Sequence, residues 1–242
     1  MMKCVSTKEI DELGKGIVVS YLKKHGLRQL PDCVDIEGIA NSLGLTVRYE
    51  AFAEDDLRKI GFLADGETPL KVLHDGKIVS FCFPLGTIVL DSSLKRENES
   101  GKRRFTIAHE VAHYILNRHN PIPQFQREWD PGYTYTREEL KNQFNMQESQ
   151  ADKLAAALLM PEFIIVRALE KEGVVGGIRV YGNSVVSKED RVRLDRIADR
   201  VGVSYTALMI RLRQFCLLDY RPLCEYTDRI FKSGVFPKDN RP

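Results

Sequence analysis

Apolar positions recur with a helical period near the start of the chain. Ile10, Leu13, Ile17, Val18, Tyr21 and Leu22 share one face, and Gly26 follows Lys23 and Lys24 as a stop. A second helix is expected over Asp35–Leu43, ended by Gly44, with a strand opening at Leu45–Tyr49. The pattern then becomes extended. Strands are predicted at Lys59–Leu63, Lys77–Phe83 and Gly86–Leu90, with Asp65–Gly66 and Asp75–Gly76 as turn dipeptides between the earlier runs. Lys95–Arg104 reads as a polar, basic loop and Phe105–Arg118 as a helix. A loop with Pro121, Pro123, Pro131 and Gly132 leads to a helix over Asn145–Met160, stopped by Pro161. Lys171–Ser187 is glycine-rich and predicts a loop or hairpin. Helices over Lys188–Arg200 and Ser204–Leu217 follow, and the proline-bearing end of the chain predicts a loosely docked tail.

Helices before and after a small, mostly antiparallel sheet make the expected fold class α+β. The expected division is a main domain over residues 1–165, a helical, helix-turn-helix-like region over 166–220 and a tail over 221–242. Composition supports a packed core. The 242 residues are 43% hydrophobic and 29% charged, which excludes a mostly disordered chain, a collagen and a coiled-coil rod. The net charge of +2 sets up no global field for nucleic acid. Apolar stretches such as Leu154–Met160 fall far short of the ~20 residues that span a bilayer, so no membrane association is expected. The opening residues hold no apolar run of the secretory kind. Five scattered cysteines (Cys4, Cys33, Cys82, Cys216, Cys224) form no C-x-x-C pair. They predict reduced thiols and a cytoplasmic protein rather than a disulfide framework or a cysteine zinc site.

The chemistry concentrates at His109–Glu110–Val111–Ala112–His113. Residues i and i+4 of a helix share a face, so both imidazoles can reach one metal ion, with Glu110 beside them to hold an activated water. Zinc suits such a site, because three protein ligands leave a fourth position open and bound water ionises near pH ~7. The flanking Phe105, Ala108, Val111, Ala112, Ile115 and Leu116 predict a buried helix, where polar groups need partners. A third ligand is expected downstream. Glu148 and Asp152 also stand at i and i+4, so Glu148 can ligate while Asp152 orients a ligand imidazole. Ala151, Ala155 and Ala156 would let the two helices approach closely. A competing reading makes Glu148 part of a capping box with Asn145.

Arg104–Phe105–Thr106–Ile107–Ala108 leading into the H-E-x-x-H, with Glu148-x-x-Ala151–Asp152-x-x-Ala155-x-x-Leu158–Leu159–Met160–Pro161 downstream, resembles the ImmA/IrrE family of zinc metallo-endopeptidases. The resemblance runs from about Thr7 to Pro161 and more weakly to Leu218. It implies a metallopeptidase domain in the first 165 residues, with zinc on His109, His113 and Glu148 and Glu110 as the catalytic acid/base. It also implies a protein substrate, commonly a helix-turn-helix repressor of a mobile-element or stress circuit. Many relatives carry a further histidine where this chain has Asn117, with His119 two positions on. His119, Tyr133 and Tyr135 are candidate donors to a tetrahedral oxyanion. The strand Gly86–Leu90 is either a free edge that pairs with an extended substrate or an interior strand.

Ile197–Leu208 resembles a helix-turn-helix, with Ala198 and Gly202 spaced for the tight turn. Lys188–Arg213 holds seven basic and four acidic residues, a local net of +3. Direct DNA contact is therefore an alternative function, as is a non-cutting regulator that binds a repressor. Against DNA contact, Arg211 falls on an apolar position of the pattern, and Met209 and Ile210 are poor readers of base edges. A helix pair that packs or binds a partner is the favoured reading, with Phe215 and Cys216 in its core. Among the basic residues Lys95, Arg96, Lys102, Arg103 and Arg104, most are expected in solvent, with Arg104 anchoring a buried carboxylate.

Overall fold

A computed structural model describes residues 6–27, 29–117, 124–127 and 146–232. Helix α1 (Thr7–Lys24) starts at Ser6, which caps it reciprocally with Glu9. Helix α2 (Ile36–Ser42) starts at Asp35, whose carboxylate accepts from the Gly38 amide. The strands are β1 (Thr46–Glu50), β2 (Lys59–Leu63), β3 (Leu70–His74), β4 (Lys77–Phe81), β5 (Thr87–Asp91) and β6 (Gln124–Arg127). Helix α3 (Ser100–Leu116) carries the H-E-x-x-H, and α4 (Met146–Leu159) carries Glu148. Next come α5 (Glu162–Lys171), β7 (Ile178–Tyr181), α6 (Lys188–Val201), α7 (Tyr205–Gln214), β8 (Leu218–Arg221) and α8 (Leu223–Lys232).

The main sheet runs β1-β5-β2-β6, with β1 and β5 parallel and the other pairs antiparallel. The fold is α+β. Strand β5 lies in the interior, between β1 and β2, so the Gly86–Leu90 segment offers no free edge to a substrate. Its alternation divides the apolar residues. Ile88 and Leu90 join the large core under the helices, while Val89 joins Phe62, Ala64, Leu70, Val72 and Phe83 on the opposite face. That second core is covered by the β3–β4 hairpin. Its turn, Asp75–Gly76, has positive φ at both residues, the geometry that matches strand twist.

Helix α4 packs along both α1 and α3. Gly14 makes the first contact possible, since a Cβ there would stand 2.6 Å from the Ala157 Cβ. Ala151 and Ala155 are fully buried on the α3 side, and this small-residue seam brings Glu148 and Asp152 up to the histidines.

Several boundaries depart from the pattern. Strands β3 and β6 and helix α5 were not predicted, and Lys95–Arg104 is not one loop. Ser92–Lys95 and Glu97–Glu99 are 3-10 turns, and α3 already starts at Ser100. Arg104 therefore lies within α3 and donates to two carbonyls, of Val34 and Gly202, rather than to a carboxylate. The glycine-rich stretch holds β7, which pairs in parallel with β8, and residues 221–232, expected in a loose tail, hold the end of β8 and all of α8. Cys216 is exposed at φ +56° instead of packing in the core, while Phe215 lies under the Arg211 guanidinium. Cys33, Cys82 and Cys224 are also free thiols, and Cys4 lies outside the described residues. Among the described residues no helix is long and apolar enough to cross a membrane.

Candidate metal centre

His109 and His113 face the same way from consecutive turns of α3, and both are buried. Their Nε2 atoms stand 2.9 Å apart. The Glu148 Oε2 lies 3.3 Å from the first and 3.5 Å from the second. Donors at ~2.0–2.2 Å from a tetrahedral ion are separated by roughly 3.3–3.6 Å. Both Glu148 distances match that spacing, and the 2.9 Å Nε2 pair is tighter and would open slightly around one cation. Two ring nitrogens and a carboxylate oxygen aimed at one point need a proton or a cation among them, and this donor set is one that suits zinc.

Asp152 fixes the first imidazole. Its Oδ1 lies 2.9 Å from His109 Nδ1. A carboxylate only accepts, so Nδ1 carries a proton, and a cation that displaced the proton from Nε2 would find that nitrogen's lone pair facing the centre. His113 has no such partner. Its Nδ1 is buried without a hydrogen bond among the described residues, as are both oxygens of Glu110 and the Oδ1 of Asn117.

The charges follow from this packing. Burial pushes the Glu110 carboxyl up to about 8, opposed by His109 and reinforced by Glu148. Burial also works against charge on Glu148, but its bonds to the two histidines prevail and bring it down to about 2. For His109 burial opposes the proton, yet Asp152 and Glu148 hold its pKa up at about 10. Burial lowers the pKa of His113. A divalent cation at the three donors would add positive charge beside Glu110 and counter its rise.

A cavity of about 330 Å³ opens beside His113, walled by Leu45, Leu63, Ala64, Leu85 and Asn117. A buried donor set, an unpartnered carboxyl next to it and an adjoining hollow form a site built for chemistry rather than for stability. Residues 40–213 match the family model of the IrrE N-terminal-like domain, Peptidase_M78. The chain belongs to that family. None of the curated proteins matches it. As a Peptidase_M78 protein it has a metallopeptidase-type function, and the match runs through α6 and nearly all of α7.

The structure brings His109, Glu110, His113, Glu148 and Asp152 together. Glu148 turns its carboxylate to the imidazoles, while Asn145, its proposed capping partner, lies outside the described residues. The oxyanion candidates His119, Tyr133 and Tyr135 also lie outside them. Asn117 was noted only as a departure from relatives. Its place one helical turn after His113 was the signal that it shares the site's face.

Helices α6 and α7 are joined through Gly202, left-handed at φ +73°. Arg211 is buried, donates to the Met160 carbonyl and pairs with Asp11 at 2.6 Å. That arginine ties α7 to the end of α4 and to α1. Arg191, Arg193 and Arg200 pair with Asp195, Asp190 and Glu172 respectively.

Proposed function

We propose that the protein is a cytoplasmic zinc-dependent endopeptidase that hydrolyses a peptide bond in a helix-turn-helix transcriptional repressor. The observation that carries the reading is the convergence of His109, His113 and Glu148 within 4.8 Å, beside a buried and unpartnered Glu110. The substrate class rests on the family resemblance, and the location on the scattered cysteines, which form no C-x-x-C pair. Zinc bound there supplies Lewis acidity toward the scissile carbonyl and makes water acidic enough to attack near neutral pH.

The protein's own residues do the rest. Glu110 takes the proton from the attacking water as the C–O bond forms, keeps it on a carboxyl oxygen, and delivers it to the amine nitrogen as the C–N bond breaks. Asp152 keeps the His109 tautomer and ring orientation fixed throughout. Direct DNA contact has less support, because the α6 arginines named above already meet acidic partners and Arg211 is buried.

The test compares wild type and Glu110→Gln, each loaded with zinc and incubated with host-cell lysate, by mass spectrometry of new protein N-termini. The reading predicts new termini, among them one in a repressor, with wild type only. Equal zinc content with no difference in termini would contradict it and favour a regulator that binds without cutting.

A further inference from the structure

We propose that Asn117 is the positioning residue of His113: its carboxamide oxygen accepts the Nδ1–H that this imidazole carries when its Nε2 faces the metal centre. The inference deepens the metal-centre reading and rests on His113 being a ligand.

The two ring nitrogens of His113 have different surroundings. Nε2 meets the Nε2 of His109 and the Oε2 of Glu148. A nitrogen that gives its lone pair to a cation leaves the ring proton on the other one, so Nδ1 becomes a donor. That Nδ1 is buried and has no acceptor among the described residues. A buried N–H without an acceptor is costly, and a ring free to turn makes a poor ligand.

Asn117 supplies the complementary deficit. It is only 6% exposed, and its Oδ1 is buried without a donor. Its backbone N–H donates to the His113 carbonyl at 2.8 Å, which fixes it one turn further along the same face. Both residues line the same cavity. The terminal torsion of an asparagine is broad and soft, so the carboxamide can turn toward the imidazole within this wall. The pairing also explains an asymmetry. His109 is held by a carboxylate, whereas a neutral amide behind His113 adds no second negative charge next to Glu110, whose ionisation burial already opposes.

The test uses full-length protein labelled with ¹⁵N-histidine and loaded with zinc. Zinc affinity is read by chelator competition, and the His113 Nδ1–H by its NMR resonance and exchange rate. Wild type should show an Nδ1 proton protected from exchange, with a cross-relaxation contact to Asn117. Asn117→Leu should lose that protection and bind zinc roughly 10–100-fold more weakly. Asn117→Asp, which keeps the acceptor, should restore both, an outcome that a merely space-filling role would not give. If leucine crowds the cavity and the variant fails to fold, Asn117→Ala takes its place. An unprotected Nδ1–H in wild type, or unchanged affinity and exchange in the variant without an acceptor, overturns the proposal. None of these readouts needs cleavage. Tight, Asn117-dependent zinc in a protein that cuts nothing would sink the peptidase reading alone.

Discussion

Helices α3 and α6 are both amphipathic and rich in polar side chains, yet they treat most of those groups in opposite ways. On α3 and at its C-terminal end, Glu110, His113 and Asn117 are buried with atoms that have no hydrogen-bond partner among the described residues. On α6, Arg191 and Arg193 meet carboxylates of their own helix, and Arg200 reaches Glu172 through one guanidinium nitrogen while its buried Nη1 alone lacks a described partner. Even the deeply buried Arg211 of α7 is fully engaged, by Asp11, Gln214 and the Met160 carbonyl. Unsatisfied buried polarity is expensive and persists where something outside the chain completes it. Satisfied polarity belongs to the architecture.

The contrast can be broken most sharply at Glu110. Glu110→Gln should leave zinc uptake intact and lower hydrolysis by ~10²–10⁴-fold, measured on the substrate that terminus mapping identifies. At the ligands, Glu148→Ala should weaken zinc binding by more than ~100-fold. Asp152→Ala should weaken it ~10–100-fold, because it frees the tautomer without removing a ligand. Chelator competition ranks the two, and the reverse order would mean that the carboxylates have exchanged roles.

On the architectural side, Asp11→Ala leaves the buried Arg211 guanidinium short of a partner. It should cost about 1–3 kcal/mol in denaturant unfolding, with zinc stoichiometry unchanged.

A further effect separates the regions by pH. In chelator-treated protein, the Glu110 carboxyl is raised by burial from about 4.5 to about 8. Below the lower value it is protonated whether folded or unfolded. Between the two values the unfolded chain releases the proton and the folded one keeps it, so stability falls as pH rises. The melting temperature of Glu110→Gln relative to wild type should therefore climb from pH 4.5 to 8. A flat difference would show that Glu110 ionises freely in the folded protein. Smallest of all, Arg191→Glu together with Arg193→Glu should leave DNA mobility and its salt dependence unchanged, since these arginines serve their own helix.

How much of this was legible in the sequence varied with the range of the interaction. The H-E-x-x-H, the Glu148/Asp152 pair and the small-residue face are local spacings on helices, and helical geometry turns spacing into position directly. Of the strands that escaped prediction, β6, β7 and β8 depend on partners far along the chain. Strand β6 is held by β2, β7 and β8 by each other, and β3 by its hairpin neighbour β4 together with the 51–53 segment. Whether Gly86–Leu90 is an edge or an interior strand is likewise decided by what pairs on either side. Arg211 looked misplaced on an apolar position because the residues that satisfy it, Asp11 and Met160, are remote in sequence. The carbonyls of Val34 and Gly202 that hold Arg104 were hidden for the same reason.

The account stands most directly on what surrounds a bound zinc. X-ray absorption at the zinc edge of the fully loaded protein measures that shell. It should show one zinc per chain with two imidazole nitrogens and carboxylate oxygen at ~2.0–2.2 Å, and no sulfur. A sulfur shell near ~2.3 Å, or a protein that takes up no zinc, would contradict it.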